Sequence, residues 1–582
     1  MDEELTRSSP KTTQLCSIST MRKGGLRTMP FIILNESFEK VASYGLMPNM
    51  IFYLMKDYHL DAATGTTILL LWSATSNALA MVGAFLSDSC FGRFRVVALG
   101  SFSSLLGMIM LWLTAMVPET KPSPFCNASY GKCKSASAAQ LGFLFSSFGL
   151  MSIGAGCIRP CSIAFGADQL IKKGDPNNEG LLQSFFNWFY ASTGASTIFA
   201  LTVIVYIQDR LGWRVGFAVP AFLMFIASLL FLMGSPLYIK VKASKSLFTG
   251  FFQVFVVAFK NRNLSFPANN SNEYYHQAPD SELIEPTKNL RFLNKACIIG
   301  NQVTDVKPDN SPSNPWKLCT VDQVESLKSL LRVIPIWSSC IIVQVVINQS
   351  SFTAIQASTM NRHITSHFQI PAGSFSVFLV LTLTIWVAMY DRLIVPLMAK
   401  HMGRPQGLSQ NQRMGIGILV SVAAMAVSAG VERVRRRTAI REGLVENAFR
   451  EVDMSAMWLV PQQCLNGLAE AISAVAQIEF YYSHFSKNMA SMAMALFTLG
   501  MAAGNLIGSL IVKIVDGITK GEGKESWVSS NPNKGHYDYY YWLLAIVCSV
   551  DMVYFLVCCW AYGSNKEKET KVEGGAGESI AT

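Results

Sequence analysis

Apolar runs of about twenty residues, separated by short polar breaks, recur along almost the whole chain. A helix needs ~20 mostly apolar residues to cross the hydrocarbon core of a bilayer. The pattern predicts twelve such spans, at 30–55, 67–89, 94–117, 139–164, 184–207, 213–239, 329–358, 372–399, 411–433, 456–482, 487–516 and 540–563. Between the sixth and seventh lies the polar stretch 240–328. It contains NRNLSFPANNSNEYYHQAPDSELIEPTK, has no apolar periodicity and reads as a linker. The expected organisation is a tail (1–29), a six-helix half (30–239), a central loop (240–328), a second six-helix half (329–563) and a tail (564–582). This is an all-α membrane protein with the outline of a two-halved transporter. Residues 1–29 are polar and carry no apolar core, so no cleavable signal peptide is expected.

Composition agrees with the pattern. The 582 residues are 51% hydrophobic and only 15% charged, which suits a polytopic membrane protein better than soluble domains. The net charge of +10 is spread through short segments between spans, without a dense basic patch interleaved with aromatics, and this argues against nucleic acid. Arg22, Lys23, Arg27, Arg93, Arg95, Lys172, Lys173, Lys400, Arg404 and Arg413 all fall on one side of a twelve-span chain. The positive-inside rule then places both termini and the central loop in the cytoplasm. The arginine-rich segment 432–451 falls on the other side and is the exception, read as an extension of the ninth helix past the membrane.

Of the 13 cysteines, Cys157, Cys161, Cys340, Cys548, Cys558 and Cys559 lie in apolar stretches and read as packing residues. Cys126 and Cys133 differ. They flank a polar external loop beside the sequon Asn127-Ala128-Ser129, where a disulfide and a glycan are both open possibilities. No cysteine or histidine cluster has metal-ligand spacing, and His59, His276, His363, His367, His401, His484 and His536 are scattered. The chain offers no nucleophile or metal constellation for a membrane enzyme.

The chemistry sits inside the spans. The first carries Glu36, Glu39 and Lys40 on one helical face, although each charge at a helix centre costs roughly 2.5–3.5 kcal/mol. Glu36 and Lys40 pair at i,i+4, which leaves the second carboxylate short of a partner. Arg159 lies at similar depth in the fourth span, where Gly154 and Gly156 allow close helix approach and Pro160 frees a backbone carbonyl. A protonated carboxylate releases its basic neighbour, so such a cluster trades protons. In the tenth span Glu470 stands alone among small residues, and Glu479 lies near the end, at an interface.

Several stretches resemble a known family. ESFEK (36–40) is similar to the ExxE(R/K) motif of proton-coupled oligopeptide transporters, and GAFLSDSCFGRFR (83–95) to the second–third loop signature of the major facilitator superfamily. AFGADQ (164–169), FFNWFY (185–190), VIPIW (333–337) and WLVPQQCLNGLAEA (458–471) resemble the plant nitrate/peptide transporter family. The resemblance covers nearly the whole chain outside the tails and central loop. It implies a major facilitator fold, alternating access, a central site between the halves and symport driven by protons, with no other cofactor. It implies coupling through Glu36, Glu39 and Lys40, substrate contact through Arg159, Gln356 and Glu470, and a cytoplasmic latch of Asp88 and Arg93. Arg159 replaces the usual lysine and stays charged, so titration falls on the carboxylates. Gly194 replaces a fifth-helix asparagine, Gln356 a histidine used by nitrate carriers, and Val96 a phosphorylatable threonine.

The substrates that the resemblance allows are ranked with low-affinity nitrate first. A carboxylate hormone or other organic anion follows, then a glucoside or a di- or tripeptide. The plasma membrane is favoured over the vacuolar one. A transceptor that signals through the central loop is the alternative class.

Overall fold

The computed structural model describes residues 24–122, 135–170, 178–241, 247–266, 275–277, 286–300, 306–307, 312–402, 407–447, 450–485, 489–521 and 524–578. The Cys126, Asn127 and Cys133 expectations lie outside the described residues. The helices of the first half are α1 (Met29–Lys56), α2 (Ala62–Leu86), α3 (Arg93–Met116), α4 (Ala138–Leu170), α5 (Asn178–Phe199) and α6 (Val205–Met233). The central segment contributes α7 (Leu247–Lys260). The second half comprises α8 (Val321–Ile347), α9 (Ser350–Ser358), α10 (Ser376–Met389), α11 (Val395–Met402), α12 (Gln410–Arg441), α13 (Val460–His484), α14 (Ala490–Thr519) and α15 (Tyr537–Glu578).

Among the described residues, nine helical stretches are long and apolar enough to cross a membrane. One of them, Gly180–Met233, is 54 residues long. It breaks at Gly212, whose φ of +77° lies where a side chain is disfavoured, so it supplies two crossings. The other two crossings are α1 and α13. Each is helical throughout but carries ionisable and amide side chains inside the span: Glu36, Glu39 and Lys40 in one, Gln462, Gln463, Asn466 and Glu470 in the other. These are the two helices in which such side chains cluster near the middle of the crossing.

Within the first half α1 packs on α5 and α6, α2 on α4, and α3 on α4 and α6. Within the second, α12 packs on α13 and α15, α10 on α13, and α8 on α14. The halves meet along α2 and α14. Their other contacts gather at the end away from the central loop. There Gly373 sits against Pro48 and Asn49, Tyr206 stacks on Phe368 at 6.4 Å, and the Ala62 N–H donates to Ser530 Oγ at 2.8 Å. At the loop end α4 and α5 make no comparable packing on α13 among the described residues.

Two expectations need correction. The central loop is not a bare linker. α7 buries Phe251, Val254 and Val257 together with Leu293, Cys297, Val321 and Val324, which fixes it to the start of α8. Backbone bonds from Cys319 N–H to Ala296 O (2.9 Å) and from Val321 N–H to His276 O (3.0 Å) hold the segment. The seventh helix accordingly starts at Val321, inside the expected loop, where Thr320 and Gln323 form a reciprocal N-terminal cap. It also stops at Ile347, and α9 continues as a separate helix. The arginine-rich segment is explained by length. α12 has 32 residues, about 48 Å at 1.5 Å per residue, against a hydrocarbon core of about 30 Å.

Candidate functional site

Close helix packing sets the site. A Cβ on Gly83 would lie 2.2 Å from the Gly156 carbonyl oxygen, and one on Gly154 would lie 2.0 Å from Ser104 Oγ. Only glycine at these positions lets α4 lie against α2 and α3. The same stretch of α4 carries Arg159, turned toward the charged face of α1. The Arg159 Nη2 stands 3.4 Å from Glu39 Oε1, and Lys40 Nζ stands 3.9 Å from Glu36 Oε1. Ser43 Oγ donates to Glu39 Oε1 at 2.6 Å.

Glu39 has no exposed surface and Glu36 is 3% exposed, whereas the Arg159 and Lys40 side chains keep 22% and 14%. The acids are thus sealed and the bases remain partly open. The second oxygen of each carboxylate, Glu36 Oε2 and Glu39 Oε2, has no hydrogen-bond partner, and neither has Arg159 Nε. A buried carboxylate oxygen without a donor is costly, and a bound proton relieves that cost. Tyr44, which the sequence reading passed over, lies one turn beyond Lys40. Its ring faces both cations, Lys40 Nζ at 5.2 Å and the Arg159 guanidinium at 5.6 Å. Ser37 Oγ and Ser192 Oγ, 2.6 Å apart, tie this face of α1 to α5.

Glu470 is not joined to this cluster. It sits at mid-helix in α13, half-buried between the buried Ala469 and Ala471, and makes no hydrogen bond or ion pair among the described residues. Gly467 brings α13 against the backbone of Leu379 in α10, where an added Cβ would be 2.3 Å from the carbonyl oxygen.

Gln356 takes a different place from the expected one. It is fully buried and both ends of its amide are used: Nε2 donates to Glu432 Oε2 at 2.7 Å and Oε1 accepts from Tyr541 OH at 3.0 Å. Glu432 in turn holds Arg435 through Nε (2.8 Å) and Nη2 (2.7 Å), while Arg435 also reaches Thr359, Pro532 O and Asn533. All five guanidinium donors are satisfied. Gln356 therefore belongs to a buried clasp that joins α9, α12 and α15 on the side away from the central loop. Each end of its amide is engaged by a neighbouring helix, and the residue has no exposed surface. The clasp also shows why part of the arginine-rich segment tolerates burial.

The expected Asp88–Arg93 pair is present, with Arg93 Nε 3.4 Å from Asp88 Oδ1. A stronger partner was missed. Arg93 Nη1 reaches both oxygens of Asp168, at 2.7 and 2.8 Å. Asp168 lies within AFGADQ, so the motif was visible while its pairing was not. Gly92 makes the preceding turn at φ +79°. The three residues join the α2–α3 turn to the end of α4, all within one half. The second half has a counterpart in Arg413, which meets Glu479 at 2.6 Å and stacks on Tyr390. Among the described residues no group of histidine, cysteine and carboxylate side chains could hold a metal.

Two six-helix halves that meet along α2 and α14, with a charge cluster buried in the first half, are the arrangement of a major facilitator transporter. The sequence profile described as the POT family (PTR2) matches residues 94–528, and the chain belongs to that family. It is 53% identical to Protein NRT1/ PTR FAMILY 1.2 of Arabidopsis thaliana over 546 residues, 93% of this chain and 90% of that protein. Protein NRT1/ PTR FAMILY 1.1 of the same plant is also 53% identical, over 95% of this chain and 94% of that one. Among solved structures, an auto-inhibited POT family peptide transporter superposes with a TM-score of 0.67 at 19% identity, covering 92% of this chain and 96% of the other. The POT family transporter PepTSo also gives 0.67, at 17% identity, covering 92% and 98%. These likenesses confirm the fold. Family membership makes the protein an integral, multi-pass membrane transporter and not an enzyme, and one that needs no cofactor.

Proposed function

We propose that the protein is a proton-coupled symporter of a small anion, nitrate first, which works by alternating access with both termini and the central loop in the cytoplasm of the plasma membrane. The observation that supports this reading is the balanced cluster of Glu36, Glu39, Lys40 and Arg159, with sealed acids and partly open bases. Its two negative and two positive charges cancel. A low-dielectric interior penalises any net charge, so the empty cluster is stable as it stands. A proton on Glu39 leaves one positive charge and removes the attraction that holds Arg159. The freed guanidinium presents paired N–H donors to a planar oxyanion. Nitrate then restores neutrality, and both the empty and the loaded cluster carry no net charge. Half-loaded forms are charged and disfavoured, which ties proton entry to anion entry.

Glu470 favours a second reading. A partly open carboxylate without a partner would receive an ammonium group, and together with Arg159 of the first half it suits an amino acid or short peptide. The discriminating experiment is uptake by oocytes of a substrate panel (nitrate, organic carboxylates, glucosides, dipeptides) at two external pH values. Nitrate uptake that rises at the acidic value supports the first reading. Dipeptide uptake without nitrate uptake overturns it.

A further inference from the structure

The central segment carries a surface that the transport reading does not use. α7 has the sequence LFTGFFQVFVVAFK, with no acidic residue in its fourteen positions. Its buried face is accounted for by α8. Its other face is not: Phe252, Phe255 and Phe259 are 63%, 44% and 68% exposed. At 100° per residue these three lie within a 60° arc, so they form one stripe along about 10 Å of helix. Trp316 continues the stripe, edge-on to Phe252 at 6.2 Å. Phe292, 55% exposed, belongs to the same segment.

The charges that contact the rings of this stripe and its neighbour Phe266 are basic, and the acids Asp322 and Glu325 lie on α8. Arg262 covers Phe259 at 4.7 Å, Arg291 and Lys295 cover Phe266 at 4.3 and 5.2 Å, and Lys260 Nζ bonds Trp316 O at 3.5 Å. Residues 247–266, 286–300 and 312–320 contain no Asp or Glu at all. The level of the helix is set as well. It packs on Val321, Val324 and Leu327, immediately before the apolar run of α8 begins, and so at the height of the lipid headgroups.

We infer that α7 is an interfacial anchor, with Phe252, Phe255 and Phe259 inserted in the bilayer surface and Lys260, Arg262, Arg291 and Lys295 bound to anionic headgroups. An exposed aromatic stripe with a basic border is the pattern of a helix that lies in the membrane plane, and anionic lipid supplies the missing charge. The same sign bias disfavours a basic protein partner. The anchor fixes the bridge between the halves at the bilayer surface while the halves move. It rests on the cytoplasmic placement proposed above only for which leaflet is used.

The test uses the full chain in nanodiscs of phosphatidylcholine, with and without phosphatidylserine. Both leaflets then have one composition, so an error in orientation does not affect the result. An environment-sensitive fluorescent amino acid replaces Phe255, and its emission is quenched either by lipids spin-labelled near the headgroup or by aqueous iodide. Lipid quenching that strengthens with phosphatidylserine is expected. The R262Q/R291Q variant should lose that gain, with the docked-to-undocked ratio falling roughly fivefold per residue removed. Transport activity enters neither readout. Iodide quenching without lipid quenching overturns the anchor and leaves the stripe as a protein-docking face. Lipid quenching indifferent to phosphatidylserine overturns the headgroup assignment.

Discussion

At Arg159 and Glu39 the cost of separation exceeds the gain of contact. Removing one partner of a buried ion pair typically costs about 3–5 kcal/mol, because the other charge is left uncompensated. Glu39 has no exposed surface and keeps only Ser43 if Arg159 is lost. The Arg159→Ala variant should therefore unfold at a markedly lower temperature in detergent. The double variant Glu39→Gln/Arg159→Ala should recover much of that loss, because it removes the stranded acid. Equal melting temperatures for the single and double variants would show that the pair carries no such coupling. At the loop side, Arg93 holds Asp168 through one nitrogen and Asp88 through another. Arg93→Ala should reach the cell surface at normal levels and lose most transport, read as uptake per surface-labelled molecule.

The legibility of these residues follows from sequence distance. Glu36, Glu39 and Lys40 were readable because helix spacing alone puts them on one face, and because acids in an apolar run need a reason. Asp168 lies 75 residues from Arg93, and Glu432 lies 76 from Gln356. Only the folded packing reveals those pairs. A polar residue at a familiar position, such as Gln356, does not announce whether it faces a solute or a neighbouring helix.

At the level of elements, the contact between α2 and α4 makes a sharp expectation. An added methyl at Gly83 would meet the backbone oxygen of Gly156, which no side-chain rotation can relieve. Gly83→Ala should force the helices apart, lower stability by about 1–3 kcal/mol and lower the melting temperature in detergent. Gly149→Ala, on the same α4, meets nothing within 4 Å. It should leave the melting temperature unchanged or raise it slightly, since alanine stiffens the unfolded chain. The apolar pattern marked nearly every crossing, but it merged poorly with breaks. It passed over α7 because a fourteen-residue apolar helix beside a long polar run averages into a linker. It extended the seventh span through α9 because composition does not change where the helix stops at Asn348.

For the molecule as a whole, the charge carried per cycle is the decisive quantity. Nitrate moving with one proton transports no net charge, so the membrane potential gives no help and only the pH gradient drives uptake. A second proton makes each cycle carry one positive charge, worth about 2.3 kcal/mol per 100 mV. On the reading proposed above the first proton goes to Glu39, and its release of Arg159 admits the anion. On that reading the candidates for the second are Glu470, which has no partner among the described residues and whose protonation leaves the cluster neutral, and Glu36, with one oxygen lacking any donor, whose protonation would leave the loaded cluster with one positive charge. We therefore expect an inward current when substrate is added at acidic external pH, and a slower cycle at alkaline pH. Glu39→Gln should abolish accumulation against a gradient yet leave substrate-for-substrate exchange partly intact, because exchange never returns the empty carrier. Glu36→Gln and Glu470→Gln separate the two acceptors: the one that carries the second proton should lose the current while electroneutral uptake survives. Uphill accumulation in all three variants, indistinguishable from the unaltered protein at every pH, would place the coupling elsewhere in the molecule.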